Sequence, residues 1–122
     1  MVDLNETGKH CLDVMKASCK GGFDDQLALD YLVQEAAVGP LRCFCCADGE
    51  KDSGVDDCGK ELAYTIVCLL ACAAIEGCDI EQEVQKATGN AKKTLRRAIR
   101  YVRSWQKWQE EEQQEASHAC DD

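Results

Sequence analysis

A chain of 122 residues is the size of one ordinary domain, able to bury about two-thirds of its unfolded surface without metal or disulfide support. A hydrophobic fraction of 45%, one proline and nine glycines exclude a disordered chain and favour long uninterrupted helices. Twenty-three acidic against fourteen basic residues leave a net charge of −9, which excludes a general binder of nucleic acid polymers or of anionic membranes, because phosphate contact requires a basic surface.

Met1 leads directly into Asp3, Asn5 and Glu6, with no basic n-region or apolar h-region, so a cytoplasmic protein is expected. Asp3 with Glu6 three residues on forms an acidic capping box, and Leu4, Gly8, Cys11, Met15 and Ser18 follow at helical spacing, predicting a first helix over 4–19. Gly21-Gly22 ends it. Asp24 or Asp25 can cap a second helix, carried by Ala28, Tyr31, Leu32, Glu35 and Val38 until Gly39-Pro40 interrupts, with a short helical piece from Leu41 to Cys46 after the proline.

The polar stretch from Asp48 to Asp57 reads as a loop. From Leu62 to Ile75 almost every residue is apolar. That run is too short to span a bilayer, so a central helix buried on all sides is expected over 61–76, with Gly77 as its stop. Asp79 and Gln82 repeat the capping box, and Ile80, Val84 and Ala87 give a fourth helix ending at Gly89. Asn90 can cap a fifth, in which Leu95, Ala98, Ile99, Val102, Trp105 and Trp108 or Gln109 form a stripe running to about Glu115. Lys92, Lys93, Arg96, Arg97, Arg100, Arg103 and Lys107 crowd its first half, and Glu110, Glu111, Glu112 and Glu115 follow. Such a two-tone helix suits antiparallel pairing with a second copy, or a solvated face packed on its own domain. The expected architecture is all-α: a four- to five-helix bundle in one domain over 1–122, with a buried central helix and a long amphipathic C-terminal helix over 91–116. The apolar surfaces of the third and fifth helices predict a homo-oligomer, dimer or tetramer.

Ten cysteines leave three readings open: buried or free thiols acting as small hydrophobes, the disulfides of a secreted helical protein, or a metal cluster. Cys68 and Cys72 lie inside the apolar run and favour the first, while Cys43, Cys45, Cys46 and Cys58 surround one loop where a tetrahedral zinc site could form. With two histidines and no glycine-rich phosphate loop, neither an acyl-transfer triad nor a P-loop is indicated.

Glu35 in Leu32-Val33-Gln34-Glu35-Ala36-Ala37-Val38, Glu61 in Glu61-Leu62-Ala63-Tyr64, the opening Leu4-Asn5-Glu6 and the closing Gly77-Cys78-Asp79-Ile80 follow one another in a familiar order. Over residues 3–93 the chain resembles the MazG-like all-α nucleotide pyrophosphohydrolases, whose signature is E-x-x-E, a spacer, then E-x-x-D. The resemblance implies hydrolysis of a nucleoside triphosphate to monophosphate and pyrophosphate with Mg²⁺ or Mn²⁺. It makes Glu35 and Glu61 the catalytic, metal-binding acids, with Asp57, one turn before Glu61, as a substitute ligand. Val38 and Tyr64 stand where the second glutamate and the aspartate belong, which implies a weakly held metal and impaired turnover. A non-catalytic nucleotide- or protein-binding module on the same fold is the alternative. Glu83, Lys86, Asn90 and Lys93 recur at spacings of three, four and three; this is either a solvated face or, as the resemblance implies for Lys86, Asn90 and Lys93, the triphosphate-holding set.

Overall fold

Helix boundaries in the computed structural model, which describes residues 2–19, 21–44 and 58–120, follow the capping residues. Asp3 accepts from the Glu6 amide at 3.1 Å and opens α1 (Leu4–Ser18); Asp24 accepts from Leu27 at 3.0 Å and opens α2 (Asp25–Phe44). α3 (Cys58–Glu76) ends at Gly77, whose φ of 71° is the left-handed conformation a helix stop needs. Asp79 caps α4 (Ile80–Gly89) through the Gln82 amide at 3.1 Å. α5 (Ala91–Thr94) and α6 (Arg96–Cys120) complete six helices, with no strand among the described residues, so the fold is an all-α helical bundle.

Two compact units divide the chain, Met1–Glu83 and Val84–Asp122. In the first, α3 lies between α1 and α2. Its core is Leu32 and Ala36 of α2 against Cys68, Ala71 and Cys72 of α3, with Cys11 and Met15 of α1 packed on it. Small residues set the spacing. A Cβ at Gly8 would overlap the Leu70 carbonyl, and one at Gly39 would come within 3.0 Å of Glu61 Oε2 and 3.2 Å of Thr65 Oγ1.

Three expectations change. The second helix does not stop at Gly39-Pro40 but continues to Phe44. Pro40 has no N–H, so the Ala36 carbonyl one turn back loses its helical donor; Thr65 Oγ1 of α3 donates to it instead, at 3.4 Å. Of the separate piece expected over Leu41 to Cys46, the described part, through Phe44, belongs to α2, while Cys45 and Cys46 lie outside the described residues. All-round burial of α3 holds for Cys68 and Leu70 through Ala73, yet Leu62, Ile66 and Leu69 are 42%, 55% and 50% exposed, because α1 and α2 cover only part of its circumference. Among the described residues α3 is also the one helix long and apolar enough to cross a membrane. In the second unit, the expected single fifth helix is broken at Leu95 into α5 and α6, and Asn90 makes no side-chain cap bond. Thr94 Oγ1 donates there to the Ala87 and Asn90 carbonyls, at 2.8 and 3.0 Å.

The N-termini of α1 and α4 satisfy each other. The Leu4 amide donates to Glu81 Oε1 at 3.0 Å, the Ile80 amide to Asn5 Oδ1 at 3.0 Å, and Asn5 Nδ2 to Asp79 Oδ1 at 2.9 Å. Backbone amides that a helix start leaves without acceptors are thus met across 77 and 75 residues of sequence. Asn5→Ala should destabilise the first unit by about 1–2 kcal/mol, the cost of a lost cap. Gly8→Ala, which must push α1 off the Leu70 carbonyl, should cost about 1–3 kcal/mol. Urea midpoints of the two variants against the parent chain measure both.

Candidate functional site

α2 and α3 run antiparallel, since Gly39 faces Glu61, Ala36 faces Thr65 and Leu32 packs with Cys68. Glu35 and Glu61, both partly buried, therefore occur along the contact line of the two helices. Glu61 lies against Gly39, the point at which a side chain on α2 would collide with its carboxylate. Glu35 sits one turn earlier, where the Tyr31 hydroxyl donates to it; that bond, and then the negative charge of Glu35, hold the Tyr31 hydroxyl above the ordinary tyrosine range. The same carboxylate acts on Tyr64 from across the helix pair.

Tyr64 occupies the position where an aspartate was expected. Burial of its hydroxyl, followed by a hydrogen bond with the Cys68 thiol, pushes its pKa up to about 12. At neutral pH it is an uncharged hydroxyl, a poor substitute for a hard anionic oxygen. Val38 is exposed one turn from Glu35 on α2. Asp57 lies outside the described residues, and among those described no group of three acids, histidines and cysteines is poised around one point.

Lys86, Asn90 and Lys93 belong to the second unit and are exposed. Lys93 lines a shallow basic notch with Thr94, Arg96 and Arg97, three neighbours that the spacing argument did not include. Sequence reasoning also missed Tyr31. Its spacing of four from Glu35 on a helix was the available signal, since such pairs are neighbours.

Beside Tyr31 opens an apolar groove between α1 and α2, floored by α3, with a volume of about 390 Å³. His10, Val14 and Met15 form one wall, Tyr31 the other, and Tyr64 with Val67 the floor. It continues through Met15 and Tyr31 into a second hollow lined by Phe23, Asp24 and Leu27. Lys16 extends over the Phe23 ring at 5.7 Å.

Cys11, Cys19, Cys58, Cys68, Cys72 and Cys78 carry free thiols. Burial pushes the Cys68 and Cys72 thiols up. Cys19 and Cys78, exposed, should react with a thiol reagent in the folded protein, and Cys68 and Cys72 only on unfolding, as a timed mass-spectrometric count would record. Tyr64 also makes a pH prediction. Its folded pKa of about 12 exceeds the ordinary 10.0, so the folded state holds the proton more tightly and the stabilisation, complete below pH 10, fades as pH rises towards 12. Tyr64→Phe should flatten that alkaline loss of stability in urea titrations.

Compared with protein-family models, curated proteins and solved structures, the chain matches none.

Proposed function

We propose that the chain is a MazG-like nucleotide module in which Glu35 and Glu61 hold one Mg²⁺ or Mn²⁺ ion on a nucleoside triphosphate, with slow release of pyrophosphate and the monophosphate. The observation that carries this reading is the antiparallel α2–α3 contact: it sets Glu35 near Tyr64 and Glu61 against Gly39, so the positions 35, 38, 61 and 64 of the acidic motifs share one stretch of the helix pair. Two carboxylates from facing helices fit a hard divalent cation, whose remaining positions suit water and phosphate oxygens. Held by Glu35 and Glu61, such an ion would supply charge neutralisation to a bound triphosphate and acidity to a coordinated water. Glu35, already accepting from Tyr31, orients the site from α2; Glu61, seated in the space that Gly39 leaves, orients it from α3.

Tyr64 favours a second reading, a non-catalytic nucleotide- or protein-binding module. A hydroxyl that keeps its proton to about pH 12 cannot replace the missing aspartate as an anion.

Pyrophosphate release from a panel of dNTPs with Mg²⁺ or Mn²⁺ separates the two. Restoring the motif with Val38→Glu and Tyr64→Asp should raise the rate at least about tenfold, equivalent to about 1.4 kcal/mol of barrier. Glu61→Ala should abolish both turnover and the rise in melting temperature with Mn²⁺. Nucleotide binding without turnover in the folded double variant would favour the binding module. Ordinary enzyme rates in the parent chain that survive Glu61→Ala would refute the site.

A further inference from the structure

Charge is divided unevenly along the chain. Residues 1–83 hold seventeen acidic and six basic residues, whereas the segment from Lys86 to Lys107 holds eight basic residues and no acid. From Lys92 to Lys107 the seven cations are exposed, and none pairs with a carboxylate among the described residues. The net charge of −9 opposes adsorption through the whole surface of the chain. Charges more than about 10 Å away are screened at physiological salt, however, so an anionic surface meets this segment and not the sum.

α6 sorts its side chains by face. At about 100° per residue, Ala98, Ile99, Val102 and Trp105 share one side, with Tyr101 and Trp108 along one edge of it. Arg97 borders that edge, one turn before Tyr101, while Arg96 and Arg103 border the other, each one turn from Ile99. Arg100 and Lys107 stand farthest from the stripe. Trp105 and Trp108 stack with ring centroids 4.9 Å apart and are still 49% and 50% exposed, and Tyr101 and Val102 are exposed beside them. Every residue from Gln109 to Glu115 is glutamine or glutamate, so the stripe ends at Trp108, about 15 Å from its start.

We propose that α6 lies in the plane of an anionic lipid surface, with the stripe from Ala98 to Trp108 sunk to the acyl boundary and the arginines at the level of the lipid phosphates. A helix of low overall hydrophobicity, cationic on its polar face and aromatic on the other, enters the bilayer interface in this way. With its side chains a helix is about 10–12 Å across, and the headgroup layer of one leaflet is about 5–8 Å thick. Cations on the side away from the stripe therefore stand at headgroup level, and Arg97 and Arg103 reach it from the rims along their apolar stems. Tyrosine and tryptophan suit the same depth, since each joins an apolar body to a polar tip. The acidic run after Gln109 is repelled by the same surface, which confines insertion to the first half of α6.

The opposed faces also disfavour other anionic partners. A single strand of nucleic acid stacks its bases on aromatic rings beside the cations that track its backbone, but here the indoles lie across the helix from Arg100 and Lys107. An acidic protein groove would meet the stripe and its rims and leave those two cations in water. Free phosphate would use the cations and leave the stripe uncovered.

The test uses the full chain, whose two tryptophans both lie on α6, so their emission reports insertion directly. Vesicles of three parts phosphatidylcholine to one part phosphatidylserine should carry the chain down on sedimentation, shift its emission to the blue and, with brominated acyl chains, quench it. Salt should weaken all three effects, and pure phosphatidylcholine should bind at least about tenfold more weakly. Arg97→Gln/Arg103→Gln should weaken binding at least about tenfold, and Val102→Glu, which sets a charge in the stripe, should abolish the blue shift. All three positions are exposed, and circular dichroism checks that each variant keeps its helices. Emission and sedimentation unchanged by the mixed vesicles overturn the proposal. So does equal binding to pure phosphatidylcholine, or binding to the mixed vesicles that Val102→Glu leaves intact. A chain that ignores vesicles but holds single-stranded RNA, as parent and as Val102→Glu alike, overturns it in favour of nucleic acid.

Discussion

The distance at which α1 and α2 approach α3 governs the rest of the first unit. Gly8 sits at the Leu70 carbonyl and Gly39 at the Glu61 side chain and Thr65, so on both sides the helices meet where one of them has no side chain. Close approach lets small residues make the core: Ala36, Ala71, Cys68 and Cys72 fill it, with Leu32 as its larger member. It also leaves larger side chains outside. Leu62, Ile66 and Leu69 of α3 and Val14 and Tyr31 of the flanking helices remain exposed because the three-helix contact is too narrow to cover them.

The same narrowness explains Pro40. An interior proline ordinarily ends or kinks a helix by removing a donor and crowding the preceding turn. Here α3 is near enough for Thr65 to supply the absent hydrogen bond to Ala36, and α2 continues for another turn. Tertiary contact overrides a local signal.

Much of this was legible in the residues. Asp3, Asp24, Asp79 and Gly77 mark helix boundaries through chemistry local to a few positions, and each acts as its type suggests. The apolar run from Leu62 to Ile75 announced a core helix but not its covering. Exposure depends on how many neighbours surround a helix, and no periodicity reports an absent neighbour. Glu35 and Glu61 were recognisable through spacing, yet the hydroxyl of Tyr31 on Glu35 and the thiol of Cys68 on Tyr64 depend on rotamers and on which helix faces which. Asn90 shows the opposite error: it has the right residue type for a cap and makes no side-chain cap bond.

The mutual capping of α1 and α4 has a consequence for the order in which the chain can fold during its synthesis. The acceptor for the Leu4 amide is Glu81, and the acceptor for the Ile80 amide is Asn5, so neither helix start is complete until both ends of the unit are present. A nascent chain emerging from the ribosome holds α1 with its own Asp3 cap but without the rest of its first-turn partners until Glu81 has been made. α1 and α2 can form beforehand as local helices. The closed unit is available only after α3 and the first turn of α4 have left the tunnel, which makes completion of the fold a late and concerted step.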